Sequence, residues 1–563
     1  LGPGGVHLLT FWPERTDSGT WTIMPHRDPP LPPGASCPPG AVCVWGLFLV
    51  NFAGLPECKL VRQHANFRYM PVRSSTFHLL PASRLVSAVR PFFAALVLCL
   101  LLAGPAPAQT VPDAPAPEEA PNVILMIPDG FGPASVTMAR DYLRWRDGQK
   151  ELPYDSLQVG SIRTYASDSY ITDSAAGGTA LATGTKTYNG AVAVDTSRQA
   201  VATLLEGAER RGMSTGLVVT SRLTHATPAV FSSHVPDRGQ ENRIARQQLN
   251  KDIEVMLGGG RRHFLPQSAE GSAREDDLDL LQAAQDRGYE VVQTASELSR
   301  AGEGQTQENR LLGLFSPGHM AYEIDRDHTQ QPSLAAMTET AIDRLSGNGE
   351  GYFLMVEGSR IDHAGHGNDA ASHLRDILAF NRAAKSALEA AQEDDNTLVV
   401  IVSDHETGGL TLGRNRDGEG IYSWRPETLA AVEASSGAIA DSIRSVRSTG
   451  ASEAAKRTRI AGTLTRLTGV QDVPTEIVSN LMTVEGPYAV GQAVSPLVNR
   501  QALVGWTSHA HTAVDVNLYA YGPGANAFVG HHDNTTIAQK LANLMDVDLE
   551  SLTGTLRAGR DAR

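Results

Sequence analysis

The stretch NVILMIPD (122–129) decides the fold. Its apolar run is too short for a helix, and Pro128 closes it. A segment of helical spacing follows, to about Trp145. Three runs of the same kind recur: STGLVVT (214–220), YFLMVEG (352–358) and TLVVIVSD (397–404). Short apolar runs bounded by turn residues read as buried strands. VDVNLYAYG (514–522) alternates and reads as a late strand. Between them, 332–346 and 370–393 repeat Ala, Leu and Ile at helical spacing, and 535–547 reads as the closing helix. Strands alternating with helices predict an α/β fold: a central, mostly parallel sheet sandwiched by helices. Residues 414–504 break that rhythm. They are polar, rich in Ser, Ala and Arg, and read as a helical insertion.

Asp129, Glu357 and Asp404 each stand at or just past the end of an apolar run. In open α/β sheets, ligands bind beyond the carboxyl ends of the strands. A solvated turn residue explains any one of these acids. Three at one sheet edge favour a metal site. VEGSRIDHAGHGND (356–369) adds Asp362 and His366 four residues apart, with Glu357 and His363 crowded beside them. Carboxylate with imidazole at that spacing suits zinc. SDHETGG (403–409) places His405 next to Asp404, and SHAHTAVDVNLYAYGP (508–523) offers His509 and His511, of which one is expected to be a ligand.

ITDSAAGGTALATGTKTYNGAVAVD (171–195) sets Ser174 after Asp173 and before a run of small residues. A serine at a helix N-terminus sees backbone N–H groups and a positive dipole, which suit a phosphoryl oxyanion. Asp-Ser alone reads as an N-cap; the length and composition of the run favour the functional reading. In TSRLTHATPAVFSSHVPDR (220–238), Thr227 can offer a hydroxyl to magnesium and Arg238 a planar fork to phosphate. Arg238 taken alone reads as a surface ion pair.

The chain has 563 residues, 41% hydrophobic and 20% charged, with a net charge of -14. That charge excludes a nucleic-acid partner, because phosphate backbones are bound by basic surfaces. Residues 1–69 begin with Leu1, lack a sustained period and are expected to be an extension upstream of a start at Met70. Residues 70–108 have the layout of a secretory signal peptide: Arg73, Arg84 and Arg90, the apolar run Phe92–Ala103, then Ala106-Pro107-Ala108. This places the mature protein outside the cytoplasm, periplasmic or extracellular, with no stable membrane span. All four cysteines lie before residue 109, so the exported part needs no disulfide. Residues 109–121 read as a Pro/Ala/acidic linker and 122–563 as the catalytic domain.

With these residues in view, the chain resembles the alkaline phosphatase family from about Asn122 to its C-terminus. Six ordered motifs carry the resemblance: NVILMIPDGFG, TDSAAGGTALATGTKTYNGA, THATPAVFSSHVPDR, VEGSRIDHAGH, VSDHETGG and HTAVDVNLYAYGP. It implies hydrolysis of small phosphate monoesters through a phosphoserine at Ser174, with Arg238 clamping the phosphate. It implies two zinc ions and one magnesium. Asp362, His366 and His511 match the first zinc site. Asp129, Asp404 and His405 match the second. Asp129, Thr227 and Glu357 match the magnesium site. His225, His363 and Asp173 match the surrounding shell, and a homodimer is the family's expected state. His511 is preferred over His509 because its distance to Tyr521-Gly522-Pro523 fits the family pattern.

There are departures. His225 and His363 stand where the best-studied bacterial member has Asp and Lys, as in the animal members. Pro128 replaces a glycine, and Ser316 and His319 replace acidic residues of the animal enzymes' calcium site. A phosphodiesterase of the same superfamily commonly uses Thr, against which Ser174 argues. A catalytically silent binding protein would lack a nucleophile or a ligand, and none is missing.

Overall fold

The computed structural model describes residues 13–15, 21–23, 122–303, 310–415 and 419–561. Contacts divide the chain after Ala108 into two units. In the first, strands Pro13–Arg15 and Trp21–Ile23 pair antiparallel. Apart from those six residues, the expected extension, signal peptide and linker lie outside the described residues.

The second unit is built on ten strands: β1 Asn122–Ile127, β2 Gln158–Arg163, β3 Ser214–Arg222, β4 Val255–Gly259, β5 Tyr289–Val292, β6 Arg310–Leu314, β7 Tyr352–Glu357, β8 Thr397–Val402, β9 Val516–Tyr521 and β10 Gly530–Asp533. They form one sheet in the order β10-β2-β9-β8-β1-β7-β3-β4-β6-β5. Every neighbouring pair is parallel except those made by β9, which runs against both β8 and β2. The helices that matter to the site are α1 Pro133–Asp147, α2 Ser174–Thr183, α3 Leu204–Arg210, α4 Ala226–Ser232, α5 Leu334–Leu345, α6 Arg360–His366 and α7 Ala370–Glu393. The region expected to be an insertion contains α8 Pro426–Ala430, α9 Ser436–Arg447, α10 Glu453–Thr468, α11 Thr475–Thr483 and α12 Pro487–Ala502. The chain continues through α13 Thr535–Leu544, and a further helix, α14 Leu549–Asp561, follows the one expected to close it.

The central strands are apolar throughout because both faces of a parallel sheet are covered. Successive side chains point to opposite faces. Ile124, Met126, Val399 and Ile401 join one core, packed by α1, α5 and α7. Val123, Leu125, Ile127, Leu398 and Val400 join the other, packed by α2, α3, α4 and α13. The insertion has a core of its own, with Ile439, Ile443, Ile460, Leu464, Leu481 and Val494. Among the described residues no helix is long and apolar enough to cross a membrane.

The strand order positions the site. β8, β1 and β7 are neighbours, with β3 next in line. Their carboxyl ends therefore lie side by side, and the register sets Ile127 of β1 and Val219 of β3 both opposite Glu357. Gly130 follows Asp129 at φ 73°, where a Cβ would lie 2.8 Å from Asp362 Cα and 2.8 Å from Thr407 Oγ1. Only glycine lets these segments approach so closely.

Phe380 of α7 is fully buried and meets the rings of Phe131 and Tyr154, each at a centroid distance of 6.5 Å. Phe380→Ala should lower stability by about 3–5 kcal/mol through the cavity it leaves. The change in a urea denaturation midpoint measures this.

Candidate active site

Asp129, Glu357, Asp404 and His405 are completely buried, and Asp362 is 3% exposed. Strand ends deliver the first four, and the short helix α6 carries Asp362 and His366. Despite that burial, both oxygens of Asp129, Oδ2 of Asp404, Oε1 of Glu357 and Oγ1 of Thr227 have no hydrogen-bond partner among the described residues. Buried polar atoms are ordinarily satisfied, so a cluster of orphaned acceptors calls for a cation.

The imidazoles give the same answer. His366 Nδ1 faces the His509 carbonyl oxygen at 2.7 Å, and His511 Nδ1 faces that of Thr172 at 2.8 Å. A ring nitrogen facing a carbonyl carries the proton. The two Nε2 atoms, 3.0 Å apart, then turn lone pairs toward each other. Asp362 Oδ1 lies 3.4 Å from one and 3.5 Å from the other. Two lone pairs and a carboxylate oxygen converging on one point fit a zinc ion. His405 Nε2 stands 3.5 Å from Asp129 Oδ1 and 3.2 Å from Asp404 Oδ2. Four groups among the described residues place ligand-type atoms within 4.8 Å of one another: Asp362, His366 and His511; Asp129, Asp362 and His405; Asp129, His225 and Glu357; and His225, His319 and His363.

Ser174 is the first residue of α2, whose N-cap is Asp173: Ala176 N–H donates to Asp173 Oδ1. Ser174 Oγ lies 3.2 Å from His405 Nε2. Asp173 Oδ2 accepts from Arg238 at 2.9 Å and from Gly190 N–H at 3.0 Å, which ties the arginine to the serine's own helix start. The other terminal nitrogen of Arg238 lies 3.0 Å from His225 Nε2. Each terminal nitrogen keeps one further N–H for an anion.

His225 and His363 sit with His319, their ring centroids 4.3–5.3 Å apart. Burial, then nearby cations, holds His225 well below the usual imidazole range. Arg238, Arg222 and Arg360 each point a guanidinium nitrogen at one of the three rings.

One supporting residue was not among those expected, and the histidine left without a ligand role in 508–523 supports the site as well. Thr407 donates to Asp362 Oδ1 at 2.6 Å and reaches His405 Nδ1 at 3.3 Å. Only its place in HETGG hinted at this. His509, the unchosen histidine, donates from Nδ1 to the His366 carbonyl at 2.9 Å. With the 2.7 Å bond in the other direction it makes a reciprocal pair.

A large parallel sheet with buried carboxylates, imidazoles and a helix-start serine at its carboxyl edge defines a metal-dependent phosphoester hydrolase. A family model described as alkaline phosphatase matches residues 120–547. The repressible alkaline phosphatase of Saccharomyces cerevisiae is 39% identical over 77% of this chain and 83% of its own. The crystal structure of Thermus thermophilus alkaline phosphatase superimposes with a TM-score of 0.67 at 31% identity, covering 77% of this chain and 93% of that one. A variant of the alkaline phosphatase TAB5, from an Antarctic bacterium, solved with magnesium in its third metal site, gives 0.55 at 28% identity, over 76% and 99%. The chain belongs to the alkaline phosphatase family, and it is a hydrolase of phosphate monoesters.

Burial and mutual repulsion raise three of the carboxyls without a cation: Asp129 far above its usual range, Asp404 to about 6 and Glu357 to about 8. Asp362 goes the other way. Burial alone would raise it, but the His511 hydrogen bond and the neighbouring imidazoles hold it low. A carboxyl raised in the folded state contributes stability below its unfolded value, lost as pH rises through the folded one. Above about pH 6.5, where the buried imidazoles held low in the folded state no longer titrate in the unfolded one, chelator-treated protein should therefore lose stability up to about pH 8. Asp129→Asn should be the more stable of the two at neutral pH, by roughly 1–3 kcal/mol. Urea midpoints across that range, with and without chelator, decide it; a wild-type apoprotein that gains stability with pH contradicts the account.

Proposed function

We propose that the chain hydrolyses phosphate monoesters by way of a phosphoserine at Ser174, with two zinc ions and one magnesium per site. Asp362, His366 and His511 would hold the first zinc, Asp129, Asp404 and His405 the second, and Asp129, Thr227 and Glu357 the magnesium. The position of Ser174 Oγ carries this reading: it stands at a helix start, 3.2 Å from His405 Nε2, which itself lies 3.5 Å from the orphaned Asp129 Oδ1 and 3.2 Å from the orphaned Asp404 Oδ2. Bound divalent ions supply charge that lowers the pKa of oxygens beside them and offsets negative charge as it develops.

The chain's own residues do the rest. Arg238, anchored by Asp173, presents its remaining N–H groups to the non-bridging oxygens of the phosphate. The N-terminus of α2 adds its dipole. Ser174 Oγ loses its proton and forms a bond to phosphorus as the ester P–O bond breaks and the alcohol leaves. In the second half a water oxygen attacks the phosphoserine, the Oγ–P bond breaks, and inorganic phosphate and the serine hydroxyl are restored. Such a site grips the phosphate and makes few demands on the alcohol, so a broad range of monoesters is expected. Export is supported by the pattern over 70–108 and a homodimer by family resemblance alone.

Ser174→Ala should lower kcat by roughly 10³-fold or more. Acid quenching with a labelled monoester should trap label on the wild type and none on the variant; label on Ser174→Ala contradicts the assignment. Chelation should abolish wild-type hydrolysis, and zinc with magnesium should restore it at two zinc and one magnesium per chain, by elemental analysis.

A further inference from the structure

His366 of the α6 ligand pair and the three residues that follow it are all gripped by the insertion. Tyr488 Oη donates to the His366 carbonyl at 2.8 Å. Ser495 Oγ donates to that of Gly367 at 3.0 Å. Asn499 Nδ2 donates to that of Asn368 at 2.8 Å. Ser436 N–H donates to Asp369 Oδ2 at 2.7 Å. Three consecutive carbonyls at the end of α6 thus receive donors from one helix, α12. The His366 carbonyl is one that a helix C-terminus leaves without an intrahelical partner, and those of Gly367 and Asn368 lie just beyond it. Residues 488, 495 and 499 are spaced by seven and four, which sets them on one helical face.

The opposite requirement, that α12 itself be immobile, is met by two cores. Val490, Val494 and Leu497 pack into the insertion's own core. Val498 and Ala502 pack into the main one. The turn it holds closes on its own backbone bonds, from Gly367 N–H to His363 O and from Asn368 N–H to Gly365 O, but contains one residue in an unfavourable conformation. Asn368 is in the left-handed region at φ 47°, which disfavours a non-glycine residue. Its side chain is also tied down, to Gly365 O at 2.9 Å and Ser508 O at 2.8 Å. His366 needs this support more than the other imidazoles. It is partly exposed, with 30% of its side chain accessible, whereas His405 is fully buried by its surroundings.

We propose that Tyr488, Ser495 and Asn499 are positioning residues for His366, and that the insertion serves as a brace for the first metal site. They act through the backbone: by fixing the carbonyls of 366–368, they fix where the His366 ring turns its Nε2. This rests on the reading of His366 as a zinc ligand. Tyr488 is the most informative of the three. Its ring is 57% exposed, so removing the hydroxyl alone leaves the fold intact.

The test uses the zinc-loaded full chain, with Tyr488→Phe, the double variant Tyr488→Phe/Ser495→Ala, and His366→Ala as reference. Zinc loss to a colorimetric chelator is followed in time, beside melting temperature and steady-state kinetics. His366→Ala should lose one zinc per chain. Tyr488→Phe should keep the wild-type melting temperature yet release one zinc about 10-fold faster, the usual scale for a lost outer partner of a metal ligand. The double variant should release it faster still. At limiting zinc kcat should fall with KM unchanged, and excess zinc should restore it. Release at the wild-type rate from both hydroxyl variants, while His366→Ala lacks one zinc, overturns the brace and leaves the metal reading standing. A wild-type zinc count in His366→Ala overturns both.

Discussion

Four carboxylates sealed from water at one sheet edge are the constraint on which this structure depends. Asp129, Glu357, Asp362 and Asp404 have almost no solvent, and all but Asp362 keep oxygens with no hydrogen-bond donor among the described residues. Like charges so close cannot all ionise unless cations sit among them. A chain selected only for stability would place apolar side chains here. Keeping the acids makes the fold conditional on divalent metal, a local weakness of the kind active sites carry.

The rest of the molecule is arranged to hold that edge rigid. Neighbouring parallel strands bring Asp404, Asp129 and Glu357 into line, and two apolar cores prevent the strands from shifting. Gly130 allows the Asp129 turn to press against Asp362 and Thr407. Backbone carbonyls set the tautomers of His366 and His511, and Asp173 joins Arg238 to the start of the helix that carries Ser174. The insertion, with its separate core, contributes through α12 at His366, whose side chain is more open than those of His405 and His511.

Much of this was legible in the sequence, for physical reasons that differ by element. The runs at 122–128, 214–220, 352–358 and 397–404 could be read as strands because both faces are buried and their central residues are apolar. The same logic missed QVGSIR (158–163) and GHHD (530–533) at one end of the sheet, where burial is partial and no apolar run develops. It also missed VMLGG, YEVV and RLLGL on the far side, which are short and interrupted by glycine or charge. Asp129, Glu357 and Asp404 were legible because strand ends mark them. Thr407 and the reciprocal role of His509 were not, because contacts between distant segments leave no local pattern. The choice of His511 over His509 came from family resemblance; the geometry that agrees with it is the Nε2 pairing with His366.

The most direct test of the central claim is anomalous diffraction from crystals of the active, metal-loaded full chain, recorded on both sides of the zinc absorption edge. The account requires two zinc peaks, one between Asp362, His366 and His511 and one beside Asp129, Asp404 and His405. An active protein with no anomalous peak at either group would contradict it, because the buried carboxylates would then be held by something other than zinc.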